Sequence, residues 1–500
     1  MNNLSFDIRI VADGKTIVDI HDFSLERDRV TFLLGESGIG KSLIARAVYG
    51  LLDPSELTVR INGRPYAEYV HSREVLEIQQ NGFFVFQEPS SHLNPLMTLR
   101  DQMREGSFAK GPENMEVLRA LWGGSPEIEV DRILGVYPKP YRPSGGEKQR
   151  VLLAMALEKI DMLPAVAEHA TETLFVFDEP SGSLDNHYRD LFLSHLFERF
   201  RHRSFTALVI THDYSMISRI LASSRGTVDS VSFRELARDQ GGLALREFHP
   251  GTYTGWIEGL RRSPLHTPTG PEPPAVLIVE DSLEVFGRRL RITRDAAGLE
   301  PVPLTVSPGT MVYVKAPSGT GKTTLVKRVM GLIAGGKIRA TIKGTQVTGA
   351  TPRSFWQDHV WGKSMTVVFQ HADEALNLHS TMQETLAGLP TRRPLTPAAI
   401  VALAGELIDA DEIKEILTKR VRLLSGGQKQ RLNLLRGLAL DTDILILDEP
   451  LNGLDFDSCT RVIGMLRRKM DAGVGLLVIS HNEELFDALA GTNIYYLQYV

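Results

Sequence analysis

The stretch Gly35-Glu36-Ser37-Gly38-Ile39-Gly40-Lys41-Ser42 decides the fold of the N-terminal half of this chain. It matches the phosphate-loop pattern and stands between a β-branched, apolar run at 30–34 and a segment of helical character at 42–49. This strand-loop-helix context is what a genuine phosphate loop requires. Glycines let successive backbone N–H groups point at an anion, and the start of the following helix adds a partial positive charge. The residues predicted to bind nucleotide here are Gly35, Ser37, Gly38, Gly40, Lys41 and Ser42.

A second phosphate loop, Ala316-Pro317-Ser318-Gly319-Thr320-Gly321-Lys322-Thr323, has its lysine 281 residues after that of the first. Each loop lysine is expected to reach the β- and γ-phosphates, and the hydroxyls of Ser42 and Thr323 are expected to face Mg²⁺. Ala316 stands where the first loop has glycine, which costs little if its φ stays negative. The residues of this loop predicted to bind nucleotide are Ser318, Gly319, Gly321, Lys322 and Thr323.

Further motifs follow both loops in the same order, which identifies the two halves as structural repeats. A glutamine follows the loop lysine by 46 residues in the first half and 48 in the second, and a Ser-Gly-Gly motif follows the glutamine by 57 and 55. An Asp-Glu pair and a histidine complete the set, 34 and 33 residues apart from aspartate to histidine. Only the interval between Ser-Gly-Gly and Asp-Glu breaks the match, at 34 and 23 residues, which predicts a surface insertion within or near 159–173 of the first half.

The Asp-Glu pairs are the predicted chemical centres. Each pair ends a continuously apolar run, a pattern typical of a parallel strand that is buried on both faces. Asp178 and Asp448 are predicted to hold Mg²⁺ through water. Glu179 and Glu449 are predicted to accept a proton from the attacking water.

Two further pairs of polar residues end apolar runs at matched distances. His212 and His481 are predicted to contact the γ-phosphate as part of the catalytic site. Gln87 and Gln370 are predicted to ligate Mg²⁺, since a neutral amide can bind the ion and orient water without adding charge. Each glutamine could then sense whether nucleotide is present.

The Ser-Gly-Gly motifs open two predicted helices and offer a second phosphate site at a helix N-terminus. They lie far along the chain from the phosphate loop of their own half. The economical arrangement is an intramolecular pseudo-dimer in which each motif completes the site of the other half. Lys41 would then share a site with Ser425, and Lys322 with Ser144. The residues predicted to bind nucleotide in this way are Ser144, Gly145, Gly146, Ser425, Gly426, Gly427 and Gln428.

Length and composition limit the class of protein. The chain has 500 residues with 42% hydrophobic content, enough for two cored domains. A net charge of −5 and a pI near 6.3 provide no global basic field, so nucleic acid is not expected as a partner. A single cysteine excludes an internal disulfide framework. The chain shows neither a signal peptide nor a run of 18 apolar residues, so we expect a cytoplasmic protein that associates peripherally with the inner face of the cell membrane.

A proline-rich segment marks the expected domain boundary. Residues 263–274 contain five prolines in twelve residues and no hydrophobic periodicity, which is typical of a semi-extended spacer. We therefore predict a first nucleotide-binding domain at 1–262, a linker at 263–274 and a second nucleotide-binding domain at 275–500.

Taken together, these motifs resemble the nucleotide-binding subunits of ATP-binding cassette (ABC) proteins over most of both halves. The resemblance implies an α/β fold of two tandem P-loop ATPase domains. Each would have a mainly parallel core sheet, an antiparallel β-subdomain and a helical subdomain between the glutamine and the Ser-Gly-Gly motif. The Ser-Gly-Gly motif corresponds to the family's signature motif. The resemblance also implies hydrolysis of ATP with Mg²⁺. Two features depart from the pattern: Glu147 replaces the usual signature glutamine, and no convincing adenine-stacking aromatic precedes either loop.

Within that superfamily, the segment 86–98 is similar to the one that follows the glutamine in oligopeptide, dipeptide and nickel importer ATPases, and 369–378 is a weaker version. Residues 249–254 are similar to a His-Pro-Tyr-Thr element of the same proteins, with two residues inserted. The resemblance implies an ATPase that energises an importer of peptides, nickel chelates or similar small solutes. Its partners would be two transmembrane permease subunits and a solute-binding protein. The docking segments, 88–98 and 371–381, would meet the permeases.

Two other functions stay open. One is a soluble ABC ATPase accessory to a non-transport enzyme complex, such as a carbon-phosphorus lyase system. The other is a translation-factor-type ABC protein, against which stands a proline-rich linker in place of a charged, helical interdomain arm. DNA-repair ABC ATPases are disfavoured because no zinc-binding or coiled-coil insertion interrupts either half.

Overall fold

The computed structural model describes residues 3–106, 114–122, 130–136, 139–163, 173–180, 186–224, 230–239, 242–265, 273–280, 282–285, 288–298, 300–316, 320–333 and 338–499. Backbone contacts divide the chain into two compact units, Met1–Tyr253 and Thr254–Val500. The predicted insertion and linker lie largely outside the described residues, so both stay predictions. The division falls before the predicted linker because the residues from Thr254 onward pack with the second unit, as where Trp256 meets Phe456 with ring centroids 5.0 Å apart.

The first unit contains ten strands and eight helices among its described residues, and a ninth helix, α9, crosses the division into the second unit. The strands β1 to β10 are Leu4–Ala12, Lys15–Leu25, Val30–Leu34, Leu57–Ile61, Arg64–Pro65, Phe83–Val85, Phe175–Asp178, Ala207–Ile210, Val231–Asp239 and Gly242–Glu247. The helices α1 to α9 are Lys41–Val48, Tyr66–Tyr69, Arg73–Asn81, Leu99–Gly106, Asn114–Ala120, Gly145–Asp161, Asn186–His202, Met216–Ser223 and Pro250–Arg262. A 3₁₀ turn spans Pro89–Ser91 and a π-helix spans Arg132–Val136.

The second unit repeats this plan. Its strands β11 to β21 are Leu277–Val279, Ser282–Val285, Arg288–Thr293, Leu304–Val306, Met311–Lys315, Arg339–Ile342, Thr345–Thr348, Met365–Val368, Ile444–Asp448, Gly475–Ile479 and Ile494–Tyr499. Its helices α10 to α17 are Lys322–Val329, Arg353–Phe355, Met382–Ala387, Pro397–Ala404, Ala410–Ile416, Gly426–Ala439, Phe456–Asp471 and Glu483–Ala490. Two 3₁₀ turns span Ala372–Glu374 and Val421–Leu423, and a π-helix spans Trp356–Val360.

The core sheet of each unit is mainly parallel. Its order is β10-β9-β3-β8-β7-β6 in the first unit and β12-β13-β21-β15-β20-β19-β18 in the second. The central strands β3, β7 and β8 are buried at every position, because their continuously apolar sequences are covered on both faces. Smaller antiparallel sheets, β2-β1-β4-β5 and β14-β11-β16-β17, form the β-subdomains. The predicted α/β fold of two tandem domains is confirmed.

The two core sheets complete one edge with different parts of the chain. In the first unit β10, which comes after the core strands in sequence, pairs antiparallel with β9. In the second unit β13 pairs antiparallel with β21, and β12 pairs with β13, although both precede the phosphate loop in sequence. Either solution covers backbone groups that a sheet edge would otherwise expose.

The parallel strands bring the predicted motifs to one edge of each core sheet, since the carboxyl ends of parallel strands meet there. The first phosphate loop follows β3, the Asp-Glu pair ends β7, and His212 follows β8. The second unit repeats this with β15, β19 and β20. Within the described ranges, no helix combines the length and apolarity that a membrane crossing requires.

Candidate functional site

The first phosphate loop has a backbone that only glycine adopts readily. Gly35 has φ +139°, and a Cβ there would lie 2.5 Å from the carbonyl oxygen of Leu236. Gly40, with φ +115°, is the residue from which helix α1 begins. Lys41 is the first residue of α1, and its Nζ donates to the carbonyl oxygens of Gly35 and Glu36 at 2.6 and 2.8 Å. Burial lowers the pKa of Lys41, and the carboxylates at 178 and 179 oppose that effect.

The second loop reaches the same arrangement with one altered residue. Gly321 has φ +99°, and Lys322 Nζ donates to the carbonyl oxygen of Ala316 at 2.7 Å. The φ of Ala316 is not positive, so alanine is tolerated there without the strain that a left-handed backbone would cause. Ser318 and Gly319 lie outside the described residues, and their predicted roles stay predictions.

Each unit holds a pair of hard oxygen donors suited to Mg²⁺. Ser42 Oγ donates to Asp178 Oδ1 at 2.7 Å, and Thr323 hydrogen-bonds to Asp448 in the same way. Burial raises the pKa of both aspartates. Oδ2 of each is buried and has no partner among the described residues. Because hydroxyl and carboxylate oxygens are ligands that Mg²⁺ prefers, these residues fit the ion.

The two glutamines predicted to ligate Mg²⁺ differ in their exposure. Gln87 follows β6 and its side chain is exposed, whereas Gln370 follows β18 and is half-buried. Their role at the metal therefore stays a prediction.

Glu179 and Glu449 share a backbone conformation that is rare for glutamate. Their φ angles are +49° and +50°, in the left-handed region. Their N–H groups donate to the carbonyl oxygens of Ile210 and Ile479 at 3.0 and 2.8 Å, and both residues are buried. Such a conformation costs on the order of 1–3 kcal/mol and persists where the surroundings hold it, commonly at functional sites.

The histidines differ between the units. His212 Nδ1 lies 2.8 Å from Glu179 Oε1. Burial lowers the pKa of His212, but the Glu179 carboxylate outweighs it, so the pKa is raised overall. In the second unit His481 Nδ1 lies 3.2 Å from Lys322 Nζ, and its Nε2 lies 3.5 Å from Glu449 Oε1.

Glu449 instead accepts a hydrogen bond at Oε2 from Ser480 Oγ, at 2.8 Å. Burial raises the pKa of Glu449 to about 7. Ser480 was not predicted as a site residue, although a hydroxyl residue, Thr211 or Ser480, precedes the histidine in both halves. That repetition was the available signal.

The signature motifs open helices, as predicted, and the structure shows that their serines cap those helices. Ser144 Oγ accepts from the Glu147 N–H at 3.3 Å, and Glu147 Oε2 accepts from the Ser144 N–H at 2.7 Å. Ser425 and Gln428 form the same capping box at 3.2 and 2.9 Å. The unusual Glu147 therefore still performs the capping role of the glutamine.

The residue at the third helical position of each signature also contacts a side chain from the helical subdomain. Glu147 pairs with Arg132 at 2.5 Å, whereas Gln428 Nε2 donates to Glu412 at 2.7 Å. The charged partners are thus of opposite sign in the two units. The completion of each site by the other half's signature stays a prediction.

A basic residue five positions after each loop lysine lies near the site, although it was not predicted from the sequence. The Arg46 guanidinium lies 5.3 Å from the Phe86 ring centroid, and Lys327 Nζ lies 5.8 Å from that of Phe369. Both cations lower the pKa of the nearby aspartate against the effect of burial. They join α1 and α10 to the residue before each glutamine, and their matched positions in the repeat were the signal.

Comparisons with known proteins agree with this geometry. The family model described as ABC transporter matches residues 18–163 and 299–452. The glutathione import ATP-binding protein GsiA of Shigella boydii serotype 4 (strain Sb227) is 26% identical, over 97% of this chain and 83% of the relative. The protein of the same name from Escherichia coli (strain K12) is also 26% identical over the same shares.

Solved structures of tandem proteins share the fold. An RNase-L Inhibitor has a TM-score of 0.61 with 19% identity, covering 98% of this chain and 89% of its own. The archaeal ribosome recycling factor aABCE1, solved with the stalk protein aP1, has a TM-score of 0.58 with 19% identity, covering 95% and 86%. At this identity the likeness shows the fold alone.

Proposed function

Because this chain belongs to the ABC transporter family and is an ATPase, we propose that it energises an importer of peptides, nickel chelates or similar small solutes. The observation that carries the proposal is the similarity over 97% of the chain to proteins named for glutathione import. The partners proposed are two transmembrane permease subunits and a solute-binding protein. The ATPase would work at the inner face of the membrane.

At the first site, Lys41 and the backbone of its loop bind the β- and γ-phosphates, and Ser42 with Asp178 would hold Mg²⁺. The ion, when bound, neutralises negative charge on the phosphates. Glu179 accepts a proton from the attacking water, and His212, 2.8 Å from that carboxylate, contacts the γ-phosphate. In the second unit Lys322, Thr323, Asp448, Glu449 and His481 take the corresponding roles.

The docking segment of the first unit presents one large hydrophobic side chain that is mostly exposed, on a well-supported loop. Leu96 is 81% exposed, whereas Leu93 is buried. The loop is held by buried Gln102, whose Oε1 accepts from the Asn94 N–H at 2.8 Å and whose Nε2 donates to the Asn94 carbonyl oxygen at 2.9 Å. An exposed leucine on a fixed loop suits contact with a partner.

Both docking segments are tied to the signature helix of their own unit. Lys148, on α6, donates to Ser90 Oγ at 3.1 Å. Lys429, on α15, forms an ion pair with Asp373 at 3.0 Å. These contacts connect a phosphate-binding element to the surface where a permease would dock, which supports transport-coupled hydrolysis.

Purification of the full chain from detergent-solubilised membranes tests the proposal. We expect two hydrophobic subunits to co-purify, and Leu96→Glu to release them with basal ATPase activity intact, because a charge on the docking surface must lose its hydration against an apolar partner. Leu76→Glu is the matched control, since Leu76 is a half-exposed leucine on α3 outside the docking segment. Leu93 and Leu376 are unsuitable positions because both are buried and substitution would disturb packing.

The location of the recovered protein separates the candidate functions. Release by Leu96→Glu but not by Leu76→Glu supports the importer. Recovery solely in the soluble fraction, bound to an enzyme assembly or to a ribosome, contradicts it and favours the corresponding alternative.

A further inference from the structure

A buried arginine anchors the loop that carries His212. Arg189 is the fourth residue of α7 and is only 6% exposed. Its Nη1 lies 2.8 Å from Asp213 Oδ2 and 3.4 Å from Ser215 Oγ. Its Nε also lies 3.7 Å from Asp190 Oδ1. Arginine is almost never this buried unless it is paired, and its shortest ion pair is with the residue after His212.

Asp213 also forms hydrogen bonds with other residues of the loop. Its Oδ1 accepts from the Ser215 N–H at 2.9 Å and from Ser215 Oγ at 2.5 Å. Its own N–H donates to Thr211 Oγ1 at 3.0 Å. The residues on both sides of His212 are therefore fixed, and the imidazole lies within hydrogen-bonding distance of Glu179.

The second unit has different chemistry at both positions. Helix α16 begins at Phe456, so its fourth residue, matching Arg189, is Cys459. The residue after His481 is Asn482, whose side chain accepts from the Leu485 N–H at 3.2 Å and caps α17. A thiol and an amide cannot form an ion pair. His481 correspondingly lies nearer to Lys322 than to Glu449.

We propose that Arg189 is a positioning residue for ATP hydrolysis in the first unit. It acts through Asp213 to hold His212 against Glu179. In the second unit Cys459 stands at the matching position, and this difference makes the site of Lys322 the slower of the two. The inference rests on the catalytic roles of Glu179 and His212 proposed above.

Turnover of the first site is measured in full-length protein carrying Glu449→Gln, which silences the second. Arg189→Met retains length but removes the charge. We expect kcat to fall about tenfold with KM for ATP within about twofold, because misplacing a catalytic group by about 1 Å costs up to about 10²-fold in rate. The kcat of Arg189→Lys, which keeps the charge, should lie between that of Arg189→Met and that of the protein with Arg189 intact.

A role in packing alone predicts a different result: the unfolding temperature falls while kcat per folded molecule is unchanged. That outcome in Arg189→Met, with Glu179→Gln still abolishing turnover, overturns this inference and leaves the proposed function standing. Undiminished turnover in Glu179→Gln, in protein that also carries Glu449→Gln, would instead remove the catalytic role proposed for Glu179.

A graft provides the converse test. Cys459→Arg with Asn482→Asp is introduced in protein carrying Glu179→Gln, so that only the second site turns over. We expect kcat to rise several-fold with KM little changed. An unchanged kcat in a graft that keeps its unfolding temperature overturns the inference, and Arg189→Met with Arg189→Lys decide the question if the graft does not fold.

Discussion

Asp178 holds a buried carboxylate oxygen, Oδ2, without a partner among the described residues. Burial raises its pKa, so at neutral pH its ionised form opposes folding. We expect Asp178→Asn to raise the unfolding temperature of nucleotide-free protein and to abolish the further stabilisation by ATP that depends on Mg²⁺. Thermal unfolding with ATP, in Mg²⁺ and in EDTA, measures both effects.

Asp53→Asn is the control, because Asp53 is exposed and lies outside the site. Its unfolding temperature should respond to ATP and Mg²⁺ as the parent protein does. If Asp178→Asn retained the full Mg²⁺-dependent stabilisation, Asp178 would not be the metal residue.

At the residue scale, sequence predicted the groups whose chemistry needs one particular side chain at a fixed distance from the phosphates. Lys41, Ser42 and Asp178 follow from the loop pattern and from the strand that ends in acids. Arg189 could not be predicted, because its partner Asp213 is 24 residues away and an arginine on a helix is ordinarily exposed. The left-handed backbone of Glu179 also leaves no trace in composition or periodicity.

At the scale of single elements, helix α6 contains a buried acid whose carboxylate forms no hydrogen bond among the described residues. Glu158 is 7% exposed, and neither carboxylate oxygen has a partner in the described part of the chain. The nearby Arg199 is bonded to Asp161 instead, at 2.7 Å. Burial, together with the Asp161 charge, raises the pKa of Glu158 to about 8 against the weaker effect of Arg199.

This shift predicts how stability depends on pH. The pKa is about 4.3 in an unfolded chain, so between there and about 8 the folded state keeps a proton that the unfolded state has lost. The stability contributed by protonated Glu158 is complete below the unfolded pKa and is lost as pH rises through the folded pKa. Glu158→Gln should change stability little at pH 5 and raise the free energy of unfolding by about 1–2 kcal/mol at pH 8.

Denaturant unfolding at the two pH values checks this prediction. The matched position in the second unit is Ala439, which shows that the helix tolerates an uncharged residue there. Equal effects of Glu158→Gln at pH 5 and pH 8 would mean that Glu158 is ionised in the folded protein.

Element order was predictable from the repeat, but sheet edges were not. The apolar runs that became β3, β7 and β8 are buried on both faces and therefore carry a strong signal. The strands β10 and β13 pair at an edge and carry mixed sequences, so nothing local indicates which segment completes each sheet. Only the folded chain shows that the first half completes this sheet edge with β10, which follows its core strands in sequence. The second half completes the same edge with β13, which precedes its phosphate loop.

At the scale of the whole molecule, two catalytic units predict two separable contributions to turnover. Glu179→Gln and Glu449→Gln together should abolish ATP hydrolysis while ATP still binds, because loss of a general base costs on the order of 10²–10⁴ in rate. Steady-state hydrolysis and equilibrium binding of ATP measure the two properties. Residual hydrolysis at the parental rate would show that neither glutamate is the base.

The single variants are expected to differ, since the His212–Glu179 contact and the His481–Glu449 contact differ in geometry. Glu179→Gln should cause the larger loss. Sequence predicted the duplication because the same motifs recur at matched spacing. Both glutamates are present and gave no sign of unequal sites, whereas the altered residues Glu147 and Ala316 marked the site of Lys322 as the weaker suspect.

The left-handed backbone at Glu179 and Glu449 has a consequence for selection experiments. A glycine at either position would relax the strain that the glutamate bears and remove a buried acid. A library screened only for heat resistance would therefore enrich inactive variants at these two positions. Directed evolution of this ATPase needs a growth or turnover readout, because thermostability and activity are expected to be opposed at both carboxylates proposed to be catalytic.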